Sequence, residues 1–294
     1  MSDNSVFEFG FDEGTVIKNQ SIDRFKQNRP GQKDRISIVS FKRVHDGIFA
    51  AKTREKGAPL TDAEKADLSA KIDKKISEQL GKSVDDLTEV DRLDIKSPKF
   101  AFAWTHYRDG LGSIRCLSSR EGKTITKSEL CCNKLGDSDQ TVGMVVMTYP
   151  IKDGVQADEE LLSAKKYVNF TIWRMTAKKF RQIEDVYKEA RGEDKFTIDL
   201  IVTLDGDPKY QKQVITAGSA AVWAKGKMDS DTRNWVLDQG LRNWKHVPSN
   251  LGYDMKIERL REKLMGGGQQ PGGGSGESGE AAPKLIGSYD KFLG

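Results

Sequence analysis

Five stretches of this chain alternate apolar and polar residues with the period of extended backbone: FAFAWTHY (100–107), QTVGMVVMTY (140–149), KKYVNFTIW (165–173), KFTIDLIVTL (195–204) and YQKQVITAG (210–218). Their β-branched and aromatic content suits pleated, half-buried strands. An earlier stretch, RISIVSF (35–41), reads as a further strand, with Ile36 and Ile38 on one face and Val39 and Phe41 on the other. The turn DGDPK (205–209) joins the last two long strands as a hairpin. Between the third and fourth strands, RMTAKKFRQIEDVYKEA (174–190) spaces Phe180, Ile183 and Tyr187 as one helical stripe. This order predicts a fold that is mainly β with helical insertions, built on an OB-fold-like barrel core.

The core is expected over residues 35–230, after an N-terminal arm (1–34) in which Phe7, Phe9 and Phe11 recur at period two. A helical hairpin is expected to interrupt it at 59–96. There Thr61 and Glu64 make a capping box, Leu68, Ile72, Ile76 and Leu80 recur every four residues, and Gly81 ends the helix. Ser83 caps the expected second helix. C-terminal helices are predicted within 231–265, from TRNWVLDQGLRNW and GYDMKIERLREKLM. Residues 266–283 form a Gly-rich linker without the apolar content to fold. The last residues, 284–294 (KLIGSYDKFLG), return to apolar character, and Tyr289, Phe292 and Leu293 read as a bait for a partner protein.

The net charge of +4 does not by itself point to nucleic acid, but its distribution is uneven. Residues 1–17 hold four acids and no base, whereas residues 18–56 hold eleven Lys/Arg against four Asp/Glu. Residues 165–190 hold seven bases against three acids. Such blocks fit an anion-binding groove, but charge alone favours a solvated surface. No apolar run reaches the ~18 residues of a membrane span, and three cysteines argue against a disulfide framework. A phosphate-cradling glycine loop and a nucleophile elbow are both missing, so no enzymatic activity is expected. A soluble intracellular protein is anticipated.

Aromatic and basic residues recur together. On KKYVNFTIWRM, alternation sends Val168, Phe170 and Ile172 to the core and leaves Lys165, Tyr167, Asn169, Thr171 and Trp173 opposite, followed by Arg174, Lys178 and Lys179. Trp104, Tyr107 and Arg108 end another strand; Lys209, Tyr210 and Lys212 form a third group, and Trp223 with Lys225 a fourth. Rings that stack on unpaired bases, beside cations that track phosphates, make a single-strand binding groove. The alternative is that a loop or helix covers the rings.

All three cysteines and one of three histidines lie within residues 104–132. The four candidate ligands, His106, Cys116, Cys131 and Cys132, read either as a metal knot within 104–135 or as buried thiols lying close together. The order strand–His–turn–strand–Cys-Leu-Ser-Ser–Cys-Cys–strand, then a strand running into a basic helix and a last hairpin, resembles the single-stranded DNA-binding proteins of tailed phages. The likeness is to the helix-destabilising proteins of the T-even phages, over roughly residues 35–227. It implies an OB-fold with a zinc-binding insertion whose one-His, three-Cys ligands fall on His106, Cys116, Cys131 and Cys132, where zinc would be structural. In that family two residues separate the last two cysteines; here they are adjacent, so a tight turn or helix start is required for both to face one ion. The family's short basic self-association motif is absent, and residues 1–14 are acidic instead.

The resemblance implies a non-enzymatic protein that coats single-stranded DNA in replication, recombination and repair, in the cytoplasm of an infected bacterial host. Its tail would recruit replication, recombination or transcription proteins, and self-association on DNA would be open to it. A virion structural protein, or an adaptor acting mainly through the tail, are the rival readings.

Overall fold

The computed structural model describes residues 22–252, apart from 109–111, 122–123, 129–130, 150, 153–154, 157–161, 166–167, 191–196, 207–211 and 225–227. The Phe7–Phe11 arm, the helix expected from residue 252 onward, the linker and the tail peptide lie outside them. So do Tyr167, Lys209, Tyr210 and Lys225, and the side chain of Arg108.

The first elements among the described residues are β1 (Lys33–Ile38) and β2 (Phe41–Arg43), followed by helices α1 (Val44–Lys56) and α2 (Asp62–Leu80). Next come β3 (Leu93–Pro98), β4 (Ala101–Arg108), β5 (Gly112–Arg115), β6 (Ser119–Glu121) and β7 (Thr124–Thr126). A single helical turn, α3 (Cys132–Leu135), leads into β8 (Asp139–Thr148). The short strands β9 (Ile151–Lys152) and β10 (Val155–Gln156) precede β11 (Asn169–Thr176) and α4 (Ala177–Glu189). The hairpin β12 (Ile198–Asp205) and β13 (Lys212–Ala220) is followed by α5 (Ser230–Trp244) and α6 (Val247–Leu251).

Seven strands share one antiparallel sheet, in the order β13-β12-β1-β8-β4-β5, with β11 on the other edge of β8. β8 is its spine. One edge pairs with all of β11, from Asn169↔Thr148 to Thr176↔Thr141. The other is divided between β1 (Ile38↔Val146) and β4 (Ala101↔Gly143). The outer edge of β11 is itself covered, because Phe25 N–H donates to the Ile172 carbonyl at 3.0 Å and Ile172 N–H to the Asp23 carbonyl at 3.0 Å. The sheet is strongly coiled: Arg174 on β11 hydrogen-bonds Ser113 on β5, although β8 and β4 stand between these strands. The expected closed barrel is not formed among the described strands; the sheet is open, and helices cover both of its faces.

Each face carries its own core. On one side Ile36, Ile38, Val142, Met144, Val146, Trp173 and Leu200 pack beneath α4, which contributes Phe180, Ile183, Val186 and Tyr187. On the other, Val39, Phe41, Val145, Met147, Ile172 and Trp223 pack beneath Val236 and Leu237 of α5 and Val247 of α6. The two-faced reading of residues 35–41 and the helical stripe of 174–190 therefore hold, although Arg174–Thr176 extend β11 before the helix begins. Close approach is built into the second face. A Cβ on Gly143 would lie 2.5 Å from Leu251 Cδ2, and one on Gly240 would lie 1.9 Å from the Val39 carbonyl oxygen. The C-terminal helices anticipated as a separate segment thus include α5, which forms one cover of the sheet.

In the helical insertion, the Thr61–Glu64 capping box and the left-handed Gly81 terminator stand as expected. The second helix does not: Ser83 caps only a 3-10 turn, Val84–Asp86, and the strand β3 follows. The partner of α2 is α1, so the insertion begins at residue 44. Ile72, Ile76 and Leu87 make a small core with Val44, Ile48 and Phe49, and Asp73 binds both His45 (3.2 Å) and Arg92 (2.9 Å). Arg92 and His45 hold the Asp73 carboxyl below its usual range, against the opposing effect of burial.

Candidate metal centre and the surrounding basic surface

The segment between β4 and β8 folds back on itself so that its four candidate ligands converge. His106 lies on β4 opposite Ile114 of β5 and is buried. Cys116 follows β5 directly, tied down by its N–H to the Trp104 carbonyl at 2.8 Å. After the β6–β7 ribbon, Cys131 stands at the N-cap of α3 in helical conformation and Cys132 opens the turn. That helix start answers the spacing problem: strand neighbours would point apart, whereas here Cys131 and Cys132 present their sulfurs 3.9 Å from each other.

The remaining separations are similar. Cys116 Sγ lies 4.0 Å from Cys131 Sγ and 3.7 Å from Cys132 Sγ, and His106 Nε2 lies 3.9 Å from Cys132 Sγ. All four donor atoms fall within 4.8 Å of one another. A metal bound by thiolates at about 2.3 Å in a tetrahedron requires sulfur–sulfur edges of about 3.8 Å. Sulfurs joined in a disulfide would be about 2 Å apart, and all three cysteines are free. The group could therefore hold a metal ion. Four protein ligands would fill a tetrahedral shell, leaving no open position for catalysis.

Polar partners suit thiolates. Leu117 N–H donates to Cys131 Sγ at 3.4 Å and Ser118 N–H to Cys116 Sγ at 3.5 Å. Ser118 Oγ lies 3.1 Å from both Cys116 Sγ and Cys132 Sγ while accepting the Ser128 N–H. Burial pushes the Cys116 thiol up, but hydrogen bonds from Ser118, Ser138 and His106 outweigh it and bring it down to about 6. Burial, reinforced by the neighbouring sulfurs, pushes the Cys132 thiol up despite Ser118. The His106 Nδ1 atom is buried with no hydrogen-bond partner, so the polar engagement of the ring is through Nε2, toward the thiols.

Two rings expected in the aromatic–basic groove are buried instead. Trp173 and Trp223 are 1% and 0% exposed and lie in opposite cores, so neither can stack on a base. Alternation correctly separated Ile172 from Trp173, but both faces of β11 are covered, so the second face is a core and not a platform. Trp223 sits in a 3-10 turn after β13, donating Nε1–H to Ser37 Oγ at 2.8 Å and packing against Phe41. Lys165 precedes β11 in left-handed conformation, its Nζ over the Trp235 ring at 5.5 Å. Lys178 and Lys212 are exposed on α4 and β13, and Lys179 donates to Gln213 of β13. Burial lowers the Lys179 ammonium to about 8. Lys179 lies on the α4 side of the sheet, Lys165 on the α5 side, and Arg174, next along β11 to Trp173, faces away from α4.

A smaller group does form around Arg174. Tyr107, 49% exposed, lies on β4 paired with Ser113, the residue that accepts from Arg174; Trp104 is half-buried on the same strand. Arg24 reaches Asn250 of α6 and stands close enough to repel the Arg174 charge. Burial first, then Arg24, bring the Arg174 guanidinium down to about 10, with Tyr107 opposing. Among the described residues neither arginine pairs with a carboxylate. Sequence reasoning missed Arg24, although it lies in the basic block of residues 18–56. Trp235 and Trp244, each beside a lysine, were also read only as helical residues.

No protein-family model, curated protein or solved structure matches this chain. No helix of the described residues is long and apolar enough to cross a membrane.

Proposed function

We propose that the protein binds single-stranded DNA without marked sequence preference and has no catalytic activity. The observation that carries this reading is Arg24, bridged to Ile172 of β11 two residues from Arg174, beside the half-exposed ring of Tyr107. Two guanidinium groups on neighbouring strands, neither paired with a carboxylate among the described residues, favour a phosphate between them, and a tyrosine face at their side offers stacking to any base. The coiled sheet, whose β11 and β5 strands are linked by Arg174 and Ser113, is the part of the OB-like reading that this proposal retains.

Zinc is the ion we assign to the His106–Cys116–Cys131–Cys132 group, in a structural role: it would fix the β4–β5 hairpin that carries Tyr107. The thiol-rich donor set and the tetrahedral spacing support that choice over harder cations. Coating of strands during phage replication, recombination and repair, and partner recruitment through Tyr289, Phe292 and Leu293, extend the same proposal.

The test is a titration with poly-dT at two salt concentrations, comparing the wild type with Arg174→Gln and Tyr107→Ala. Tyr107→Ala should cost about 1–3 kcal/mol of binding, and Arg174→Gln should make the log–log salt slope shallower by about 0.7. Binding that neither substitution alters would rule this surface out.

A further inference from the structure

The seven-stranded sheet ends in β13 on one side and β5 on the other. β5 is only four residues long, and the outer edge of β11 is closed by residues 23–25. β13 differs from both: it runs for nine residues, KQVITAGSA, and pairs only with β12. The Leu204 N–H donates to the Gln32 carbonyl at 2.8 Å, so Leu204 and Val202 bond toward β1, and Thr203 and Ile201 toward β13. Their partners Val214 and Thr216 therefore bond inward, while Gln213, Ile215 and Ala217 direct their N–H and C=O groups away from the sheet. Among the described residues none of those outward groups has a backbone partner. Natural edges are shielded by charge, proline or shortness. Here Thr216, Ala217 and Ser219 are exposed, proline is absent, and the one charge, Lys212, stands at the first residue.

We propose that β13 pairs with β13 of a second copy of this chain, antiparallel about a two-fold axis at Ile215. That register pairs Gln213 with Ala217, Val214 with Thr216 and Lys212 with Gly218 across the axis, and it exchanges about six backbone hydrogen bonds. The ladder stops before Ser219 and Ala220, which the Arg35 side chain already holds. Charge favours a second copy as the occupant. Lys212 and its symmetry mate stand about 20 Å apart at opposite ends of the ladder, well beyond the screening length of about 8 Å at physiological salt. The first half of α4 holds Lys178, Lys179 and Arg181 and no acid; the second holds Glu184, Asp185 and Glu189 against Lys188. The two-fold sets the two α4 helices antiparallel on one face of the joined sheet, with the basic half of each directed toward the acidic half of the other. The chain's own tail, KLIGSYDKFLG, is a poorer strand, interrupted by Gly287 and Asp290. Such an isologous contact closes at two copies. It uses none of Arg24, Tyr107 and Arg174, and it does not rest on the single-strand reading.

The full-length protein, free of nucleic acid, is sedimented at loading concentrations from about 2 to about 200 µM, the range of a weak interface. Amide hydrogen exchange is read at both ends of that range. Monomer should give way to dimer as concentration rises, and exchange at Gln213, Ile215 and Ala217 should slow with it. Thr216→Lys places like charges beside the axis, and Ala217→Pro removes an outward N–H; each should weaken dimerisation at least about tenfold. Thr216→Lys alters only an exposed side chain, so it carries the test if the proline variant does not fold. A monomer at every concentration, a dimer that Thr216→Lys leaves within about twofold of wild type, or a dimer without slowed exchange at the three amides overturns the proposal. So does protection of those amides that is the same at every concentration, which would assign the edge to another segment of the same chain.

Discussion

Arg35 and Asp199 form a buried ion pair, Nε to Oδ2 at 2.6 Å, in which Asp199 is fully shielded from solvent. The other carboxylate oxygen accepts from Ser37 Oγ at 2.7 Å and Tyr149 Oη at 3.1 Å, and Tyr149 Oη accepts the Val222 N–H. Burial nevertheless pushes the Asp199 carboxyl up to about 6, against Ser37, Arg35 and Tyr149. A folded value above the ordinary 3.8 means the folded state binds this proton more tightly than the unfolded chain. The resulting stabilisation is complete below about pH 4 and disappears as pH rises through about 6. Relative to Asp199→Asn, the wild type should lose about 3 kcal/mol of stability over that window. Urea unfolding of both proteins at several pH values reads the difference directly; a constant gap would contradict this account.

Trp223 belongs to the same network through Ser37, so its substitution is a stability lesion and not a binding one. Trp223→Phe leaves the Ser37 hydroxyl without its indole donor and should cost about 1–3 kcal/mol on unfolding. Oligothymidylate affinity should stay at the wild-type level. A variant as stable as wild type but deficient in binding would restore the stacking role that burial denies it.

The metal assignment predicts about one zinc per chain in protein purified without chelator. Cys131→Ser removes a ligand that is wholly buried and should abolish stoichiometric metal. It should also lower the melting temperature, as should a strong chelator acting on the wild type. Elemental analysis and a thermal melt decide the matter: metal-free protein with an unchanged melt would leave only a cluster of thiols.

Gly240 is the fourth position with a sharp expectation. Its hydrogen is all that fits against the Val39 carbonyl, so Gly240→Ala must push α5 off the sheet. A loss of about 1–3 kcal/mol or more is expected in chemical unfolding, and Gly47→Ala, where the added carbon meets nothing within 4 Å, serves as the control.

What was legible in the sequence was local. Thr61, Glu64 and Gly81 bound a helix through contacts a few residues long, and they do so in the fold. Ile36 and Ile38 against Val39 and Phe41 told which side chains share a face. Alternation cannot tell what lies over each face, and that is where Trp173 was misplaced: its far side is roofed by α4, with Phe25 edge-on to the indole. The ligand set could be picked from composition, but the convergence of Cys131 and Cys132 depends on one helical turn that the residue types do not announce. Arg24 and Arg174 come together only because the chain before β1 lies along β11, a relation 150 residues long that no window of sequence contains.

The α1–α2 hairpin, with its private core and its Asp73 clasp, shares little with the two faces of the sheet. Such a unit melts on its own terms. Mild denaturant should open this arm first, while the amides of β8, held along both edges and roofed on both sides, exchange last. The molecule then has a loose outrigger on a slow-exchanging keel, and a partner that seized the hairpin could unravel it without loosening the strands beneath.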